Sequence, residues 1–135
     1  MLEDSVYNLL SNDSSITDLV STKIFPLAVS ESVKEPYIIF QVLNIKREYT
    51  LQDVIGLTVA KVQISCWSSK YFNAVTIREA VRNCLNNYNG EVTATETTIQ
   101  KIHLEDEGDL IDEDDGEEES RQYGKRLSFK VWFNE

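Results

Sequence analysis

Leu127, Phe129, Val131 and Phe133 alternate with Arg126, Ser128, Lys130 and Trp132 near the end of the chain. A period of two sends successive side chains to opposite faces of a strand. The segment from Lys125 to Asn134 therefore reads as a strand with one apolar face, and only Trp132 departs from the alternation. Such a strand needs a sheet beside it and an apolar layer across it.

The layer is found at residues Lys70 to Tyr88. Phe72, Ala74, Val75, Ile77, Ala80, Val81, Cys84, Leu85 and Tyr88 recur there at helical spacing. Ser68-Ser69 can cap this long helix, and Asn89-Gly90 stops it. Tyr37 to Tyr49 and Leu57 to Trp67 read as a pair of strands, joined by a polar tip between Lys46 and Asp53. In the first of them Ile38, Phe40 and Val42 point one way, and Tyr37, Ile39, Leu43 and Ile45 the other, so both faces call for cover. Thr97 to Leu104 is a further strand around Ile99, Ile102 and Leu104.

Val6, Leu9 and Leu10 make an N-terminal helix, and Ser14-Ser15 can cap a short turn holding Ile16, Leu19 and Val20. Pro26 restricts Ile24-Phe25-Pro26-Leu27 to an edge or irregular extended segment. The expected order is α-β-β-α-β-β: an α+β fold with a mainly antiparallel sheet of about four strands and one long helix on a face. At 135 residues the chain fits a single domain, 1–135.

The net charge of −10 is a local property. Residues 105–119 hold eleven carboxylates and no cation, and the remainder has 12 acidic residues against 13 basic. The segment reads as an acidic, flexible loop containing Asp109, Asp112, Glu113, Asp114, Asp115, Glu117, Glu118 and Glu119. A nearly neutral body without a basic-aromatic run argues against a general polyanion-binding surface. The loop would instead repel DNA or contact a basic partner.

Enzyme chemistry finds little support. His103 is the single histidine, on the strand face opposite Ile102 and Leu104, which removes most triad and histidine-metal designs. Neither GxxxxGK[ST] nor GxGxxG occurs. Asp112, Asp114 and Gly116 fail the EF-hand frame, because a glycine at the sixth position puts Ile111 where the first aspartate belongs. A carboxylate-based metal nuclease would need its acids on rigid elements. Cys66 and Cys84 form no CxxC motif and read as buried thiols. No cofactor or metal is expected. No apolar run is long enough for a membrane span, and the acidic start lacks signal-peptide features, which points to synthesis in a cytoplasm.

Trp67 and Trp132 share their strand faces with polar residues. Either each is half covered at a strand end, or each anchors a subunit interface. Ile39, Leu43 and Ile45 pose the same alternative, to be covered by the N-terminal helix or by a neighbouring copy.

Three segments together resemble a known family. Ile24-Phe25-Pro26-Leu27 with Pro36-Tyr37-Ile38-Ile39-Phe40-Gln41, then Val62-Gln63-Ile64-Ser65-Cys66-Trp67 with Tyr71 and Ala74, then Tyr123 with Leu127 to Phe133, are similar to the tail-completion proteins of long-tailed bacteriophages. The resemblance spans roughly residues 24–134. It implies a non-enzymatic tail terminator in the virion, forming hexameric rings that cap the head-proximal end of the tail tube and join it to the head connector. DNA would pass through such a ring without being specifically bound. A head connector or another minor tail adaptor is the alternative reading, and the metal nuclease is the weakest. The density of the acidic segment departs from the family's pattern.

Overall fold

The alternating C-terminal strand lies inside the sheet and organises it. The computed structural model describes residues 1–27, 34–49, 54–92, 97–112 and 122–134. Its elements are α1 (Leu2–Ser11), α2 (Ser14–Val20), β1 (Ile24–Pro26), β2 (Tyr37–Tyr49), β3 (Val54–Ser68), α3 (Tyr71–Leu85), β4 (Gly90–Val92), β5 (Thr97–Asp112) and β6 (Gln122–Asn134). They form one six-stranded sheet in the order β1-β2-β3-β6-β5-β4. β1 pairs parallel with β2, and every other pairing is antiparallel.

This corrects the expected four-stranded antiparallel sheet under one long helix. The sheet is mixed, strands dominate, and three short helices share the cover. β1 and β4 have three residues each, too few to show a period of two. α3 stops at Leu85, short of Tyr88, because residues 86–88 turn toward β5. The Asn87 N–H donates to the Ile102 carbonyl at 2.8 Å, and Asn86 Oδ1 accepts from the Leu104 N–H at 3.1 Å.

All three helices pack on the same face. Leu2, Val6 and Leu10 of α1, Ile16 and Val20 of α2, and Ile77, Val81 and Leu85 of α3 are buried in one core. Opposite them lie Ile38 and Phe40 of β2, Ala60, Val62, Ile64 and Cys66 of β3, and Leu127, Phe129, Val131 and Phe133 of β6. Asp13 caps α2, its Oδ1 accepting from the Ser15 and Ile16 N–H groups at 2.9 and 3.3 Å, in place of the expected Ser14-Ser15. Lys70 precedes α3 without a side-chain cap, and Ser68 Oγ accepts from the Lys70 N–H.

A β-bulge overturns the face assignment made for β2. Val42 opposes Val62 and Asn44 opposes Lys61, so Leu43 has no partner in β3. The extra residue exchanges the two faces for the rest of the strand. Ile39 stays on the face away from the helices, whereas Ile45 opposes the buried Ala60 and lies on the helix face. α1 cannot serve as the expected cover for Ile39, since it joins α2 and α3 on the other side. Leu43 and Ile45 are exposed.

Candidate functional site

No described element packs on the second face of the sheet, and its side chains come from β2, β3, β6 and β5. The pairing register divides this face into two regions.

Toward one end the face covers itself. Trp67 of β3 opposes Gly124 of β6, and Leu110 of β5 stands on the far side of the same glycine. Next along the sheet, the Arg126 side chain lies over Gly108, and its Nη1 donates to Asp106 Oδ2 and Ser128 Oγ, both at 3.1 Å. Tyr37 is buried here and donates its hydroxyl hydrogen to Gln122 Oε1 at 2.9 Å. Arg126 and Asp106 neutralise one another in this region.

The other end has a different character. One row across the sheet reads Asn44, Lys61, Lys130 and His103, and the next reads Lys46, Val59, Trp132 and Lys101. Four lysines thus surround one half-buried tryptophan. Lys130 Nζ lies 5.0 Å from the centre of the Trp132 ring, within cation-π range. Among the described residues, none of these lysines forms an ion pair with a carboxylate. Asn44, Lys46, Val59, Lys61, Lys130 and Trp132 line a recess of about 340 Å³. An ammonium cluster beside an amphipathic ring suits an anionic partner that also presents some apolar surface.

The sequence matches the family described as Tail completion protein gp17 over residues 4–133. The chain belongs to the tail completion protein gp17 family. Among solved structures, a chain of one described as "Virion of native gene transfer agent (GTA) particle" superposes with a TM-score of 0.79 at 14% identity. The alignment covers 99% of this chain and 95% of that one, and establishes a shared fold. No curated protein matches the sequence. As a tail completion protein, the chain is a component of a virion, from a family that is structural rather than catalytic.

The tail completion fold sorts the expected site residues clearly. Trp132 and Ile39 are half-buried on the uncovered face, with Trp132 in the lysine recess. Trp67 is on that face too, closed over Gly124. Residues 105–112, expected in a loop, belong to β5, because Gln122 to Ser128 of β6 pair with them. Asp109 is one of these, and Asp112 ends the strand opposite Gln122. Glu113, Asp114, Asp115, Glu117, Glu118 and Glu119 lie outside the described residues.

Asp109 is bound to the neighbouring strand. Its Oδ1 accepts from Lys125 Nζ, which also donates to the Tyr71 hydroxyl at 2.8 Å and sits 4.3 Å from that ring's centre. Lys125 is only 3% exposed. Its burial pulls the ammonium pKa down, but the Asp109 carboxylate and Tyr71 hydroxyl outweigh this and leave it above the ordinary lysine value. Tyr71 meets Tyr123 and Phe72 edge to face, and Phe72, expected in the core, is 78% exposed.

Neither thiol is poised as a nucleophile. Burial raises the Cys66 pKa strongly, and burial with nearby Asp13 pushes Cys84 up to about 12. Among the described residues, no three His, Cys, Asp or Glu side chains are grouped to hold a metal.

The lysine cluster was invisible to linear reading. Its members stand at positions 46, 61, 101 and 130, never in one run. Only the register of four strands assembles them, so a near-neutral net charge for the body hid a basic patch.

Proposed function

We propose that this chain forms a ring at the head-proximal end of a tail tube, caps that end, and provides the surface that joins the head connector. The observation that carries this reading is a sheet face on which no described element packs, in a chain of the tail completion family. A monomeric domain gains little from exposing a tryptophan recess there, whereas a subunit interface buries it. Leu43 at 47% exposure and Phe72 at 78% offer further apolar contact points at other places on the surface. Tail tube protein, head connector protein and further copies of this chain are the partners of such a ring. DNA would traverse it without being read, consistent with a chain of net charge −10.

Electron microscopy of particles assembled without the protein tests the proposal. Full heads beside unattached tails of normal or excess length are expected. Empty or leaking heads would assign the chain to the head connector instead.

A further inference from the structure

The lysine recess and the acidic run are the two largest charge concentrations of the chain, and they lie toward opposite ends of β6. The run from 113 to 119 holds six carboxylates in seven residues. It is bounded by Asp112 at the end of β5 and by Gln122 at the start of β6. Lys130 and Trp132 are in the far half of β6, flanked by Lys61 on β3 and Lys101 on β5. Opposite charges of this size within one chain invite pairing, and the question is whether it occurs within a copy or between copies.

Chain length decides that question. Nine residues separate Asp112 from Gln122. Going out and back at ~3.4 Å per residue, their tip reaches about 17 Å from its anchors. Adding a glutamate and a lysine side chain extends the contact to about 27 Å. The near row of the recess, Lys61 and Lys130, stands eight residues along β6 from Gln122, about 26 Å at the ~3.3 Å rise of a strand, where only a fully stretched tip would touch it. The row of Lys46, Trp132 and Lys101 stands ten residues along, about 33 Å, beyond that reach. A copy cannot reach the Trp132 row of its own recess.

We infer that the recess around Trp132 receives the acidic segment 113–119 of a second copy, so that copies join head to tail. The inference rests on the ring reading above and supplies its subunit contact. Two different patches of one surface meet in such a contact, and repeating it generates a closed ring or an open filament. Single exposed lysine–carboxylate pairs contribute little, so several must act together, with Trp132 as the anchor beneath them. The same lysines could in principle meet phosphate. A duplex laid along this face would pass from the recess toward the end of the sheet that bears the acidic run, where like charge opposes it. A short acidic peptide meets no such obstacle.

Charge exchange on tails tests the contact. Tails prepared without the protein are incubated with purified wild type, with Lys46→Glu/Lys61→Glu/Lys130→Glu, with Glu117→Lys/Glu118→Lys/Glu119→Lys, or with both variants mixed, and occupied tail ends are counted by electron microscopy. Circular dichroism melts verify that each variant is folded. Wild type should load, each variant alone should load at least ten-fold less, and the mixture should recover, because one variant's acidic recess then meets the other's basic segment. Folded variants that load like wild type, or a mixture that stays unloaded, would overturn the contact while leaving the ring reading standing. Wild type that never loads would overturn the ring reading and the contact with it. Saturable binding of a short DNA duplex, abolished by the lysine substitutions, would reassign the recess to DNA and overturn the proposal.

Discussion

Trp67 rests directly on the backbone of Gly124, so closely that a Cβ at Gly124 would lie 2.9 Å from the indole Cε3 and Cζ3 atoms. Leu110 Cβ would be 3.0 Å away on the other side. The missing side chain is what lets the indole close over β6, and it makes Trp67 a cover for its own sheet.

Gly124→Ala should therefore be destabilising. The methyl group meets the indole ring and the Leu110 Cβ, which its own backbone holds in place, and overpacking of this kind costs about 1–3 kcal/mol. The expected outcome is a lower urea midpoint at unchanged m-value, with Trp67 fluorescence shifted to the red. An unchanged midpoint would show that the indole moves away at no cost.

The Asp109–Lys125 pair predicts a pH signature. The pKa of Lys125 is raised in the folded state, so the pair's stabilisation is fully present below the unfolded lysine value of about 10.4 and is lost as pH rises through the folded value. Asp109→Asn leaves a buried ammonium with a weaker acceptor. Because Asp109 is 58% exposed, water offsets part of the loss, and a cost of about 1–2 kcal/mol at pH 8 is expected. The difference in unfolding free energy between wild type and Asp109→Asn should be flat from pH 7 to about 9 and shrink above about 10.5. A difference that stays constant to high pH would contradict the assignment.

How far the chain could be read in advance depends on where its information lies. The alternation in β6 is local, and so is the helical spacing of Ala74, Ile77, Val81 and Leu85, so both elements were legible. The bulge at Leu43 was not, since nothing in Val42-Leu43-Asn44 distinguishes an unpaired residue from a paired one. That single insertion carried Ile45 to the helix face. Acid-rich residues 105–112 look like loop by composition, yet β6 offers Asp106 to Asp112 a continuous run of pairing partners. The lysine recess is a property of register alone, with one row drawn from Lys46, Val59, Trp132 and Lys101 on four strands.

Phe72 and Ile77 test the orientation of α3. Periodicity put both on one apolar face, but Ile77 is 1% exposed and Phe72 is 78% exposed. Ile77→Ala should cost about 2–5 kcal/mol through the cavity it leaves. Phe72→Ala removes an edge-to-face contact with Tyr71 on an open surface and should shift stability by no more than about 0.5–1 kcal/mol. Chemical denaturation of the two variants measures both, and similar losses would place Phe72 in the core.

Thiol reactivity gives an independent reading of the core. Cys66 is wholly buried between β2 and β6, opposite Ile38 and Lys125. Cys84 is half-buried, and its Sγ donates to the Leu9 carbonyl at 3.5 Å. Only the thiolate attacks a disulfide reagent. A pKa of about 12 for Cys84 leaves a thiolate fraction of about 10⁻⁴ at pH 8, against roughly a quarter for a free cysteine. With Ellman's reagent at pH 8, the native protein should release far less than one equivalent of thionitrobenzoate in the time a free thiol reacts fully. Two equivalents should appear at once in guanidinium chloride. Cys84 should react before Cys66, because separating α1 from α3 uncovers it while the sheet is intact, and Cys84→Ser should remove the faster phase. A native protein whose Cys66 reacts first would require the sheet to open between β3 and its neighbours before the helices leave it.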